Sequence, residues 1–163
     1  MSAHSAIVHW ERGDSAFLDR KYSRAHEWRF DGGCVVAASS SPAAVRVPLS
    51  KPENVDPEEA FVAALASCHM LWFLDGAARA GYVIESYTDQ AIGHLTVRPD
   101  RKQWIARVEL LPTVAFAGTK RPDEASVQRL HAEAHANCFI ANSVKTEVSI
   151  KGSWTIADAG SSS

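Results

Sequence analysis

Between Ala60 and Leu74 almost every residue is small or apolar, while on either side apolar and polar positions interleave. The start of this run reads as a helix N-terminus. Asp56 suits the N-cap and Pro57 the first helical position, where its missing N–H costs nothing. Glu59 stands three residues after the cap, as in a capping box, and two acids in the first turn complement the helix dipole. Gly81 offers a stop, which gives a helix of about six turns. A helix apolar on nearly all faces is a buried one, at the centre of a domain or of a dimer. Ser67 and His69 interrupt the run and Asp75 closes it, so it is expected to be too short to span a bilayer.

The flanking segments read as strands. Residues 5–11 have the content of a first strand and 12–21 that of a polar loop. Residues 24–30 and 34–39 form a hairpin around Asp31-Gly32-Gly33, whose glycines permit positive φ. The proline-containing connection 43–55 is expected to pair briefly at Val45 to Val47. After Gly81, residues 82–97 predict extended chain bent at Gly93, and Pro99 to Lys102 a turn. Trp104 to Phe116 alternates apolar and polar positions, the mark of a half-buried strand. Lys120 to Asp123 opens a second helix with Val127, Leu130, Ala134 and His135 at helical spacing. Residues 146–150 and 153–156 close the pattern around Lys151-Gly152, and a tail over 157–163 is expected to be disordered. This order is an α+β pattern, and its 163 residues suit a single domain.

Composition narrows the function classes. A net charge of −2 gives no basic footprint for nucleic acid or for an acidic membrane surface. The N-terminus lacks an apolar segment behind a basic one, so no signal peptide is expected. Three cysteines, an odd number, then suggest a reducing compartment, expected to be the cytoplasm. There a cysteine pair is redox-active or metal-binding more often than a structural staple.

Two cysteines stand in telling places. Cys68 lies inside the apolar helix, in Ala-Leu-Ala-Ser-Cys-His-Met, and Cys138 lies where the second helical pattern breaks, in His-x-x-Cys-Phe-Ile-Ala-Asn-Ser-Val. With Pro57-Glu58-Glu59 upstream, these segments resemble the two signatures of the OsmC/Ohr family of osmotically inducible and organic-hydroperoxide-resistance proteins. The resemblance spans nearly the whole chain. It implies an intertwined homodimer whose sheets wrap two long central helices. It also implies a thiol-dependent peroxidase without a cofactor, acting on organic hydroperoxides, hydrogen peroxide or both.

A thiol attacks a peroxide as thiolate, and burial alone would keep Cys68 protonated. At twelve residues past the cap it gains little from the helix dipole. A cation must therefore approach, and Arg20, Arg24, Arg29, Lys51 and His69 are the candidates. By the resemblance, an arginine from the amino-terminal strands is held by a glutamate of the long helix. Glu58 matches the glutamate, and Arg24, eighteen residues before Pro42, matches the arginine, with Arg29 as its competitor. Cys68 is then the attacking residue and Cys138 the resolving one. The reductant is an external dithiol, and relatives use lipoylated proteins. Without the resemblance, Glu58 would be only a helix-start acid. His69 reads as a packing or hydrogen-bonding residue, Cys34 as structural, and Trp72 as a wall of an apolar substrate pocket. A different class remains open: His131, His135 and Cys138 share one helix face at i, i+4 and i+7, with Cys68 as a possible fourth ligand, and could bind zinc. The other alternative is a non-catalytic ligand-binding dimer on the same fold.

Overall fold

The capping signature at Asp56 forms in full in a computed structural model of the chain, which describes residues 2–157. The Glu59 N–H donates to Asp56 Oδ1 at 2.8 Å, and the Asp56 N–H donates to Glu59 Oε2 at 3.0 Å. Helix α1 follows over Pro57–Arg79. It ends as Gly81 dictates, at φ +78°, with Gly81 N–H on Ala78 O and Tyr82 N–H on Ala77 O, the Schellman arrangement. One expectation is corrected. The most apolar 18 residues of α1 average a hydropathy of 1.4, so the helix is long and apolar enough to cross a membrane. Core helices of soluble proteins pass the same test, and α1 carries a core stripe, with Leu65, His69, Phe73 and Ala77 buried at four-residue spacing.

The chain divides into two units, Met1–Ala60 and Phe61–Ser163. In the first, β1 (Ala6–His9), β2 (His26–Phe30) and β3 (Val35–Ala38) form an antiparallel sheet in that order. Val45 to Val47 do not pair; they lie among turns. Instead Val55 bridges Ala38 in parallel, its N–H on Ala37 O at 3.1 Å. Pro42, Pro48 and Pro52 supply no N–H, which denies the intervening segment a ladder.

In the second unit, β4 (Val83–Asp89) pairs with β7 (Pro112–Ala117), and β5 (Ile92–Val97) with β6 (Gln103–Leu110), both antiparallel. Helix α2 (Glu124–Asn137) follows, then β8 (Glu147–Ile150) and β9 (Ser153–Ile156). These add in parallel to β6 and β7, giving sheets β4-β7-β9 and β5-β6-β8. Lys151-Gly152 is thus a crossing from one sheet to the other, not a hairpin. The alternation from Trp104 to Phe116 likewise conceals a change of sheet at Leu111, whose N–H donates to Asp89 Oδ1 at 2.7 Å. Around α1 the core forms two clusters. Leu65 packs with Val108 and Leu110; Phe73 and Ala77 pack with Val114, Phe116 and the buried face of α2 (Val127, Leu130, Ala134). The α+β class is as expected. Of the tail expected to be disordered, residues 158–163 lie outside the described residues.

Gly93 has a different task from the bend expected there. It sits within β5, and a Cβ on it would come within 2.6 Å of Val62 Cγ2, so its missing side chain lets α1 approach the sheet. Val62 is β-branched and yields poorly. Gly93→Ala is therefore expected to destabilise the fold by about 1–3 kcal/mol in denaturant unfolding. Val62→Ala in the same chain should recover part of that loss, and strict additivity of the two changes would refute the contact.

Candidate active site

Cys68 lies one residue before the buried His69, about 100° round the helix from it, and is half-buried at the edge of the core stripe. Cys138 is the C-cap of α2, fully buried, with its own N–H on His135 O at 3.3 Å. From there the chain enters a 3-10 turn over Ala141–Ser143. The Ala141 N–H points back at Cys138 Sγ at 3.3 Å, and the Asn142 N–H donates to Cys138 O at 3.0 Å. The motif Cys-Phe-Ile-Ala-Asn-Ser thus winds around one sulfur. Both thiols are free, and Cys68 stands close enough to Cys138 to act on its pKa. Burial, and after it the neighbouring Cys68 side chain, raises the pKa of Cys138, against a smaller opposing pull from the Ala141 amide. Cys138 is therefore a protonated thiol at neutral pH.

Beside the pair opens a groove of about 630 Å3, walled by Cys68, Leu71, Trp72, Phe139 and Ile140 with Asp75 at its rim. Trp72 meets Phe139 edge-on at 5.6 Å, so Trp72 does line an apolar pocket at the cysteine. Phe139 and Ile140 were not singled out from the sequence; their place directly after Cys138 was the available signal.

His69 is buried and hydrogen-bonds rather than facing the groove: its Nε2 lies 3.0 Å from His131 Nδ1, the rings stacked at 5.3 Å. Burial lowers the pKa of both to about 4, and for His69 the nearby His131 and His135 add to the effect. The helix face shared by His131, His135 and Cys138 does not bring its side chains together as a ligand set among the described residues. His131 turns to His69, and no group of three or more His, Cys, Asp or Glu able to hold a metal occurs among the described residues.

The remaining predicted residues belong to the first unit or to its end of α1. Arg24 precedes β2, its guanidinium 3.8 Å above the Tyr22 ring and donating to the carbonyls of Arg20 (3.0 Å) and Tyr22. It meets no carboxylate among the described residues. Arg29 is exposed on β2 and bound twice by Glu27, at 2.8 and 3.1 Å. Glu58 is exposed in the first turn of α1 and is left free by the capping box, which uses Glu59. Cys34 is exposed beside the β2–β3 turn.

The OsmC-like protein family matches residues 50–153, well over half of the chain. The chain belongs to this family. A solved OsmC-like protein of unknown function from Vibrio cholerae is 56% identical over 94% of this chain and 100% of its own, with a TM-score of 0.91. Organic hydroperoxide resistance proteins from Elizabethkingia anophelis (14% identity, 96% of this chain and 98% of that one, TM-score 0.65) and Bacillus subtilis (16%, 94% and 98%, TM-score 0.59) share the fold. Comparison with curated proteins gives no match. The OsmC-like match begins at residue 50, so Glu58, Cys68 and Cys138 fall within it and Arg24 does not.

The histidine pair makes stability depend on pH. Both folded-state values lie below the ordinary histidine value of 6.5, so the unfolded chain binds protons that the fold rejects. Their contribution is complete above about pH 6.5 and is lost as pH falls towards 4, by at most about 3 kcal/mol for His69. Denaturant unfolding between pH 7 and pH 4 should show this decline. A double variant, His69→Gln with His131→Asn, should show a flatter profile, and equal slopes would contradict the assignment.

Proposed function

We propose that this protein is a cysteine-based peroxidase in which Cys68 reduces hydroperoxides and Cys138 resolves the product. The observation that carries the reading is a pair of free, neighbouring thiols at the edge of an apolar groove. The Cys68 thiolate attacks the O–O bond, forming S–O and expelling an alkoxide that leaves as alcohol after protonation. Cys138 then attacks the sulfenic sulfur; an S–S bond forms, and the hydroxyl leaves as water with the Cys138 proton. A resolving thiol that stays protonated does not compete for peroxide and carries the proton the leaving group takes. An external dithiol, for which a lipoylated protein is a candidate, returns both thiols. Leu71, Trp72, Phe139 and Ile140 favour an organic hydroperoxide over hydrogen peroxide. The names of the solved relatives from Elizabethkingia and Bacillus point the same way, and the reducing cytoplasm is the proposed compartment.

The active form is proposed to be a homodimer. Ala63, Ser67, Leu71 and Asp75 make an exposed stripe on α1, and Leu71 and Phe139 are 62% and 70% exposed beside the groove, which leaves apolar surface for a second copy to cover. Glu58 lies ten residues before Cys68, about 15 Å of helix rise, too far to serve the cysteine of its own helix. Glu58 and Arg24 are therefore assigned to the thiol of the partner copy, where Arg24 stabilises the thiolate. Arg24 is preferred to Arg29 because Glu27 already neutralises Arg29.

The cysteine roles separate under one equivalent of hydroperoxide followed by intact-mass spectrometry. Cys68→Ser is expected to abolish the first oxidation. Cys138→Ser should oxidise once and stall as sulfenic or sulfinic acid, and Cys34→Ser should behave as wild type. Turnover that survives Cys68→Ser would end the proposal.

A mixing experiment examines the dimer and Arg24 together. Arg24→Ala should slow alkylation of Cys68 at neutral pH by roughly tenfold or more. Cys68→Ser and Arg24→Ala chains, each inactive alone, should regain activity when refolded together, since a mixed dimer holds one intact site. No recovery would exclude the shared site, and recovery with Arg29→Ala in place of Arg24→Ala would move the role to Arg29.

A further inference from the structure

The buried His69 and the half-buried His131 lie on the two helices that lead to the thiols and take no part in the chemistry proposed for them. His69 follows Cys68 on α1, and His131 stands two turns before Cys138 on α2. Their 3.0 Å contact crosses between the two helices that carry the sulfurs. Its polarity can be assigned from what surrounds it. His69 Nδ1 is buried and has no partner. Were His69 the acceptor, that atom would be a buried N–H donor with nothing to bond, which costs more than an idle lone pair. His69 Nε2–H therefore donates to His131 Nδ1, and both rings are neutral.

The acceptor ring is held from other sides. Phe73 lies 4.5 Å from the His131 ring at a 32° tilt. Gly152 backs it so closely that a Cβ there would be 3.2 Å from His131 Nε2 and 3.0 Å from Pro112 Cγ. The ring cannot turn or slide without moving a strand connection or a core aromatic. Meanwhile Cys138 is a helix cap whose sulfur is gripped by the Ala141 amide. A slip of α2 along α1 would carry Cys138 away from Cys68, and a disulfide tolerates only a narrow Cα separation.

We propose that the His69–His131 hydrogen bond is a register pin between α1 and α2 that positions Cys138 for disulfide formation with Cys68. This rests on the reading of the two cysteines as a redox pair. The histidines are positioning residues; neither exchanges a proton with substrate. Disulfide closure without the pin must first recover the alignment, so its loss weakens the disulfide relative to the dithiol.

The contact uses one specific nitrogen of each ring, which allows a test by amide geometry. Glutamine places its terminal amide near the position of histidine Nε2, and asparagine near that of Nδ1. His69→Gln and His131→Asn can keep the bond, whereas His69→Asn and His131→Gln cannot, although all four remove an imidazole. Full-length wild type and the four variants are equilibrated in dithiothreitol redox buffers at pH 7, where dithiol oxidation supplies the electrons that open the disulfide. The fraction of Cys68–Cys138 disulfide is read by alkylation and mass spectrometry. His69→Gln and His131→Asn are expected to stay near wild type, and His69→Asn and His131→Gln to shift towards the dithiol by roughly tenfold. Four variants that behave alike would overturn the pin. Should His69→Asn and His131→Gln not fold, nitrogen-15 imidazole spectra of the wild type decide. A fixed Nε2–H on His69 facing an unprotonated Nδ1 on His131 supports the pin, and averaged tautomers overturn it. No peroxide enters either measurement, so a protein that consumes none would still show the split. A wild type that forms no Cys68–Cys138 disulfide in any buffer overturns both the pin and the redox pair.

Discussion

Burial of one stripe of α1 is the constraint to which the rest of the second unit answers. Leu65, Phe73 and Ala77 recur every four or eight residues, so one helix face meets the sheet β5-β6-β8 through Val108 and Leu110 and then β7 and α2 through Val114, Phe116 and Leu130. Each fully buried side chain of this size contributes about 1.5–3 kcal/mol, and the polar member of the stripe, His69, is tolerated because it finds a partner. The residues next to that stripe inherit fixed directions. Cys68 lands at its edge, half in the core and half in the groove, because a single residue turns the helix by about 100°.

The same geometry divides labour between two chemically identical groups. Cys138 is the more deeply buried and is held as a thiol; Cys68 borders the groove that a substrate would enter. For the chemistry proposed, Cys68 would need positive charge, and none of the described residues lining its groove is a cation. Arg24 meets two carbonyls and a tyrosine ring, contacts that orient a guanidinium without neutralising it. Arg29, by contrast, is already paired. That contrast between neighbouring arginines would be invisible to any count of charges.

Where the determinants are local, the sequence is legible. Asp56 with Glu59 marks one end of α1 and Gly81 the other, because capping and positive φ are decided within a few residues. Cys68, Cys138 and the α+β order are equally readable from their segments. Leu111 is different: apolar alternation continues through it unbroken, and only Asp89, twenty-two residues earlier, reveals the corner by accepting its N–H. Gly93 resembles a bend in sequence because nothing nearby shows Val62 pressing on it. His131 suggests a zinc face with His135 and Cys138, since helical spacing places them together, while its partner His69 comes from another helix. Length and hydropathy also mislead for α1, whose composition suits lipid and protein core alike.

The placement of the two sulfurs bears on the unfolded chain as well as on the folded one. A bond between positions 68 and 138 would close a loop of about seventy residues, which in the chain-entropy picture raises the free energy of the unfolded ensemble by roughly 4 kcal/mol. The loop takes in the rest of α1, strands β4 to β7 and all of α2, so most of the second unit would unfold as a ring. If the proposed chemistry operates, each turnover would thus switch the polypeptide between a linear and a cyclised topology. The protein would resist unfolding most while it awaits its reductant, when its sulfurs are least able to react with anything else.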